Sequence, residues 1–228
     1  MLSAGSASIT GFRADGVGRV AAVDGSTQPL LGTNPTQVAF SPGGGAIAVT
    51  EKDSSTIDTF TVDHEGRAHA GVSSSSAGGT PFGFAFDAAG RAFVSEAAGS
   101  ASSYSVDAAG AHVITAAALT HQAAPCWLVV TPDGRYAYTA NAGSATISGF
   151  SIAGDGSLAL LDPSGASASL GAGAHPLDEA VTSDGSTLYV LVDGRHTVAG
   201  YRIGSDGSLT LVGEVGSLPA GAVGLAAS

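Results

Sequence analysis

The sequence predicts an all-β protein, a β-propeller built from four-stranded antiparallel blades. The main observation is a fourfold repeat of an X-Pro step, an apolar run, a turn, a second apolar run and an alternating run. The repeat is about 45 residues long, which suits four short strands. The composition agrees, since 34 glycines and 12% charged residues in 228 are typical of strands and turns. The units open at Pro35, Pro81, Pro125 and Pro176.

The first apolar run of each unit predicts the innermost strand of a blade. These runs read PTQVAF, PFGFAF, PCWLVV and PLDEAV, as expected of a strand that neighbouring blades cover on both faces. The second run predicts the next strand, and the third alternates between two faces. The third run has a central aromatic in every unit: Phe60, Tyr104, Phe150 and Tyr201. We expect these rings to pack between blades, because aromatics bury the largest area per residue.

The repeats divide a single domain, residues 1–228, into blades. The predicted bounds are a partial blade at 1–33, blades at 34–79, 80–123, 124–174 and 175–217, and a closing inner strand at 218–228. Residues 3–12 match residues 141–150 almost letter for letter, so the chain begins inside a second strand. We therefore expect about five blades, with the N- and C-terminal strands sharing one blade, which removes exposed sheet edges. The alternative is a ring that closes by strand swapping between chains.

Charge and composition exclude several classes of partner and site. A net charge of −11 argues against nucleic acid, which needs a basic face. No run reaches the roughly 18 apolar residues of a membrane helix, and no signal peptide leads the chain. We therefore expect no membrane span and, for the chain as given, a cytoplasmic location unless an export signal lies upstream. Cys126 is the only cysteine, and no hydrolase elbow, zinc motif or phosphate loop is present.

Three segments carry a family resemblance: TPFGFAFD with FVSEA, APCWLVVTPDGRYAYTANAGSATISGF, and the closing LPAGAVGLAAS. They resemble the bacterial lactonase-like propellers, relatives of the propeller-type 6-phosphogluconolactonases and of the fungal carboxymuconate-lactonizing enzymes. The resemblance covers essentially the whole chain. It implies a seven-bladed ring of which this chain is the C-terminal two-thirds, truncated at the N-terminus. It also implies lactone chemistry, although a fold alone does not fix an activity.

Topology predicts the site at one end of the central channel. In a four-stranded meander, the inner strand begins at the face where the second strand ends, so residues at these two places converge on the channel mouth. We expect the catalytic groups among His175, Asp178, Glu179, Glu51 and Glu96. We expect the substrate to be bound by Gln37, Lys52, Trp127, Asn141, Asp193 and Arg195. Glu51, Glu96, Asn141 and Asp193 align at the ends of the second strands.

These candidates also have structural interpretations. The aligned acids and Asn141 could simply accept hydrogen bonds from loop N–H groups, and Trp127 could plug the channel instead of supporting a ligand. Asp178 and Glu179 are harder to explain in this way, because adjacent acids in an apolar strand need partners or solvent. His175 is the best candidate base among the histidines, since it precedes a proline at the channel face.

Two functions are consistent with these residues. The first is a hydrolase acting on a lactone or related ester, in which a polar group polarises the carbonyl and an acid or His activates water. Few cations lie near this face, so an unphosphorylated substrate fits better. No cofactor is required, although channel oxygens could bind Ca²⁺. The alternative is a non-catalytic propeller that binds a protein or an envelope component. We expect a monomer or a strand-swapped homo-oligomer.

Overall fold

The computed structural model describes residues 1–228, and its regular secondary structure is almost entirely antiparallel sheet, which confirms the predicted fold class. Its helical segments are two single 3₁₀ turns, Ala4–Ser6 and Asp193–Arg195. Neither turn has the length or the apolar character to cross a bilayer.

Residues 1–33 form an incomplete blade. Its strands are β1 (Leu2–Ser3), β2 (Ser8–Ile9), β3 (Phe12–Ala14), β4 (Val20–Ala22) and β5 (Gln28–Pro29). Strands β1, β2 and β5 make one sheet, whereas β3 and β4 pair separately as a hairpin.

Four complete sheets follow, each inside one repeat and each with four strands in consecutive order, and the third has a short fifth strand that pairs with its third strand. The first blade contains β6 (Pro35–Phe40), β7 (Ala46–Glu51), β8 (Thr56–Thr61) and β9 (Val72–Ser75). The second contains β10 (Pro81–Phe86), β11 (Ala92–Glu96), β12 (Ser100–Asp107) and β13 (Gly110–Leu119). The third contains β14 (Pro125–Val130), β15 (Tyr136–Asn141), β16 (Thr146–Ile152), β17 (Leu158–Leu160) and β18 (Ala168–Ser169). The fourth contains β19 (Pro176–Val181), β20 (Thr187–Val192), β21 (Thr197–Ile203) and β22 (Leu209–Val215).

The core lies between neighbouring blades. The four repeated aromatics of the third strands are 0–4% exposed, which confirms that they pack as inter-blade anchors. Phe93 and Phe150 share one core cluster, and Tyr138 and Tyr201 share another. At these two junctions a second-strand side chain therefore lies in the same core as the next blade's aromatic ring. Tyr189 holds the same position in β20 as Tyr138 in β15. Residues 216–228 form no further sheet against it, and it is 38% exposed whereas Tyr138 is fully buried.

The C-terminal tail differs from the prediction. Residues 216–228 contain no strand, and no hydrogen bond joins residues 1–33 to residues 176–228, so the terminal strands do not share a blade. The Leu225 N–H nevertheless donates to Asp178 Oδ2 at 2.6 Å, just as the Phe84 N–H donates to Gln37 Oε1 at 2.8 Å between the first two blades. The tail thus lies at an inner-strand position, but with no second strand beside it, no ladder forms.

Each inner strand starts with a strained step. The residue before the first proline is left-handed in every blade, with φ of 59° at Asn34, 60° at Thr80, 53° at Ala124 and 51° at His175. A register shift follows each of these prolines, so a β-bulge aims the chain into the inner strand. Asn tolerates this backbone well, whereas a β-branched Thr does not.

We expect Thr80→Asn to stabilise the protein. The left-handed backbone costs Thr80 about 1 kcal/mol more than it costs Asn, which corresponds to a Tm increase of about 2–4 °C. Asn34→Thr, the reverse change at the matching step of the preceding blade, is the control and should lower the Tm. Thermal unfolding followed by circular dichroism measures both changes, and equal Tm values for Thr80→Asn and wild type would show that the step is unstrained.

Candidate functional site at the channel face

The candidate site lies at the end of the channel where the inner strands begin. Pro35 pairs with Glu51, and Pro81 pairs with Glu96. Inner-strand starts and second-strand ends therefore meet at one edge of each blade, as the topology predicts. The side chains at this edge divide into a partly exposed set and a buried set.

Lys52, Phe82 and Trp127 form a partly exposed corner contributed by three successive blades. Lys52 Nζ lies 5.6 Å from the centroid of the Phe82 ring, a cation–π contact. The Phe82 and Trp127 rings meet edge to face, with centroids 5.6 Å apart and planes at 73°. Gly83 makes room for the indole, because a Cβ there would lie 2.7 Å from Trp127 Cε3. Lys52 forms no salt bridge, so its ammonium group can receive an oxyanion.

His175 and Asp193 lie together at the same end of the fourth blade. His175 Nδ1 is 3.8 Å from Asp193 Oδ2, and the two side chains are 54% and 34% exposed. The sequence alignment of Asp193 with Glu51 was wrong by one residue. Pro176 pairs with Val192, so Val192 is the counterpart of Glu51. Asp193 begins the 3₁₀ turn one residue later, which leaves its carboxylate partly exposed beside the imidazole.

Glu96 and Asn141 are fully buried and do not line the channel. Glu96 Oε1 accepts hydrogen bonds from the Gly78 N–H at 2.8 Å and the Ser102 hydroxyl at 2.6 Å. Asn141 Nδ2 donates to Ser148 Oγ at 2.8 Å. Gly78 belongs to the crossover that enters the second blade. The Glu96 carboxylate therefore fixes the crossover by accepting hydrogen bonds, as expected if the acid at this repeat position serves to bind loop N–H groups.

Glu51 is also fully buried. Its Oε2 accepts a hydrogen bond from the Thr56 hydroxyl at 3.3 Å, and its Oε1 has no partner. Burial, together with the neighbouring Asp58 carboxylate, raises the pKa of Glu51 to about 7. Asp58 was not among the residues expected at the site, although a charged residue in a buried strand is itself a sequence signal.

Gln37, Asp178 and Arg195 hold elements of the structure together. Gln37 Nε2 donates to the Phe84 carbonyl at 2.7 Å, and Gln37 Oε1 accepts from the Phe84 N–H, which clamps neighbouring inner strands. Burial raises the pKa of Asp178, whose carboxylate accepts from the Leu225 N–H. Arg195 binds both carboxylate oxygens of Glu214, at 2.8 and 3.0 Å, on the outermost strand.

Glu179 is the most isolated acid in the protein. It is 4% exposed and neither carboxylate oxygen has a hydrogen-bond partner. Burial, and then the charge of Asp178, raises the pKa of Glu179 well above its usual value. Phe84 and Leu128 occupy its position in the second and third blades, so Glu179 stands where the fold packs apolar side chains.

Two further features bear on ligands. No three His, Cys, Asp or Glu side chains are grouped as a metal site needs. An apolar cavity of about 320 Å³ lies at the opposite end of the strands, between the partial blade and the first complete blade. Its lining includes Ile9, Phe12, Val38, Phe40 and Ile47.

Comparison with known proteins confirms the family resemblance. Residues 72–179, slightly under half of the chain, match the family described as Lactonase, 7-bladed beta-propeller. No curated protein sequence matches the chain.

Solved structures show the same fold. A Bacteroides uniformis protein assigned by inference as a 6-phosphogluconolactonase is 20% identical with a TM-score of 0.79, over 95% of this chain and 66% of its own. The periplasmic gluconolactonase of Pseudomonas aeruginosa is 18% identical with a TM-score of 0.74, over 91% of this chain and 63% of its own. A virginiamycin B lyase from Staphylococcus aureus is 14% identical with a TM-score of 0.60, over 95% and 73%. The chain thus spans slightly under two thirds of the first two, and identities this low establish the fold alone.

We expect Glu179→Leu to stabilise the protein at neutral pH. An unpaired buried polar group costs about 1–3 kcal/mol, and leucine is the residue found at this position in the third blade. The raised pKa means that the folded protein retains a proton that the unfolded chain releases. Wild-type stability should therefore fall as the pH rises above about 4.3, and the advantage of leucine should grow over that range.

Urea unfolding at pH 4 and pH 7 measures this effect. Glu179→Gln is the matched control, since it abolishes the titration but leaves a buried polar group. A leucine variant equal to or less stable than wild type at pH 7 would mean that Glu179 has a partner in solution.

Proposed function

We propose that this chain, a propeller of the lactonase-like family, hydrolyses the ring ester of an unphosphorylated lactone at the channel face. One observation carries the proposal: partly exposed groups of complementary chemistry come from four successive blades to one end of the channel. They are Lys52, Phe82, Trp127 and the His175–Asp193 pair. A base, a cation and an aromatic wall are the parts that water attack on an ester needs.

His175 acts as the general base. Its Nδ1 faces the Asp193 carboxylate, which orients the imidazole and stabilises the cation that forms. The imidazole takes a proton from water, the water oxygen attacks the lactone carbonyl, and the ring C–O bond breaks. The imidazolium then returns the proton to the departing alkoxide, so one lactone and one water give one hydroxy acid.

Lys52 and Trp127 bind the substrate. The ammonium group of Lys52 stabilises negative charge on the substrate, and the indole of Trp127, braced by Phe82, supports the apolar face of the ring. A single unpaired lysine is a poor receptor for a phosphate dianion compared with an arginine cluster. This favours an unphosphorylated lactone.

The buried acids are assigned a structural role in this proposal. Glu51, Glu96 and Glu179 are each at most 4% exposed, so substrate cannot reach them without local unfolding. Asp178 bonds the tail, and Arg195 is engaged by Glu214. Among the predicted acids and bases, His175 and Asp193 remain accessible.

A second candidate function is a binding platform. Leu211, Val212 and Val215 on the outermost strand of the fourth blade are 56%, 64% and 74% exposed, beside the partly exposed Tyr189. Exposed apolar patches often mark interaction surfaces. This candidate predicts no turnover of lactones by well-folded protein and loss of partner binding when Leu211 is replaced by Asp.

We expect His175→Asn to lower kcat/KM for lactone hydrolysis by about 100-fold or more, the usual contribution of a general base. Asn suits this position because Asn34 occupies it in the first blade with the same left-handed backbone. Proton release from a panel of five- and six-membered lactones, with phosphorylated and unphosphorylated members, measures the rate.

His196→Asn is the matched control, because His196 is also left-handed with a φ of 55°, whereas its imidazole forms no ion pair with the Asp193 carboxylate. Its rate should equal that of wild type. A fully active His175→Asn enzyme would remove His175 from the mechanism, and an inactive wild type would favour the platform.

A further inference from the structure

Glu51 and Asp58 form a pair of carboxyl groups inside the first complete blade. Both side chains are fully buried. Glu51 pairs with Thr56, and Asp58 lies two residues further along β8. The two acids are therefore diagonal neighbours on one face of the sheet. Glu51 Oε1 and Asp58 Oδ1 have no hydrogen-bond partner.

The second blade shows what the same position contains when it is fully satisfied. There Glu96 Oε1 accepts hydrogen bonds at 3.1, 2.6 and 3.3 Å from three hydroxyl groups, those of Ser76, Ser102 and Tyr104. In the first blade the corresponding residues are Leu30, Asp58 and Phe60. The first blade therefore lacks all three hydroxyl donors. Asp58 also places a second acceptor at the position from which Ser102 donates in the second blade.

No cation compensates the two acids. The elements packed around β7 and β8 are residues 30–33, β6, β9, β10 and β13, and their one ionisable side chain is His112 of β13, which pairs with Asp107 at 3.0 Å instead. The nearest charged residues in sequence are Lys52, which lies over Phe82, and Asp53, which accepts from Asn34 Nδ2 at 3.1 Å. Two unpaired carboxylates side by side in a buried place are strongly unfavourable. One proton between them supplies the missing donor, and the raised pKa of Glu51, caused by burial and then by Asp58, agrees with this.

The pair holds the crossover that joins the partial blade to β6. Asp58 Oδ2 accepts a hydrogen bond from the Leu31 N–H at 2.6 Å. The Glu51 carboxylate lies against Gly32, so close that a Cβ on Gly32 would collide with Oε2. Next to these residues, Leu30 packs against Ile9 and the first blade's core. The stability of this crossover therefore determines how tightly residues 1–33 pack against the first complete blade.

We propose that Glu51 and Asp58 share one proton and act as a pH-sensitive clasp, which holds residues 30–33 closed in acid and loosens them towards neutral pH. When the crossover opens, the Glu51 carboxyl meets water and titrates near its ordinary value, about 4. Opening then releases the shared proton. The equilibrium for opening should rise up to about tenfold per pH unit from roughly pH 4.5, and level off near pH 7, where Glu51 in the closed state also loses its proton.

Amide hydrogen exchange of the full chain tests the clasp. Protection of the Leu31 amide, which donates to Asp58, corrected for its intrinsic exchange rate, should fall about 100-fold between pH 5 and pH 7 and then remain level. The matching amide of Ala77, which lies beside the satisfied Glu96 site and donates to Tyr104, and the neighbouring amide of Gly78 are the internal control. Their protection should not change over this range. Equal pH dependence at both crossovers, or none at either, would overturn the proposal.

Two variants test whether the proton shared by Glu51 and Asp58 causes the pH dependence of amide protection. Asp58→Asn keeps a side-chain oxygen that can accept from the Leu31 N–H but removes the charge, and it should give the same protection at every pH. Glu51→Gln should also abolish the pH dependence, and it serves if the asparagine variant does not fold. A pH dependence that persists in both variants would overturn the clasp. Restoration of wild-type protection at pH 7 by 1 mM Ca²⁺ would also overturn it, in favour of a cation site.

Discussion

The structure depends on how the chain crosses from the outermost strand of one blade to the innermost strand of the next. Such a crossover carries backbone N–H groups into a buried junction, where each needs an acceptor. The side chain at the end of the second strand supplies it, most completely at Glu96. A left-handed residue before proline and a β-bulge then turn the chain into the inner strand. The order of the blades and the channel face both follow from this junction.

This requirement explains why a repeated acid is a poor guide to chemistry here. Glu51 and Glu96 recur at the channel edge because a crossover needs an acceptor, and their burial keeps substrate away. The accessible groups, Lys52, Trp127 and His175, occur once each and have no counterpart of the same type in the other blades. In a repeat protein, the departures from the repeat are therefore the better signals of a specific ligand.

The fold was predictable from the sequence, whereas the site was predictable only in part. Proline spacing and strand alternation predicted the blades, and the aromatics were correctly placed between them, because these are periodic features. Burial of the acids was not predictable, since it depends on which way a side chain turns at the end of a strand. The alignment of Asp193 was wrong by one residue because a 3₁₀ turn replaces the loop of the other blades. The closure of the ends was also wrong, because a lone tail strand has no ladder partner.

The contrast between buried Tyr138 and exposed Tyr189 has a consequence for folding. The two tyrosines occupy one position and differ only in whether another blade follows, so much of a blade's stability comes from its neighbour. With no hydrogen bonds between its two ends, the protein behaves as a one-dimensional array with nearest-neighbour coupling. In such an array each inner blade has two stabilising neighbours and the terminal blades have one. A blade packed on both sides, as the second and third blades are, should therefore unfold later than a blade packed on one side.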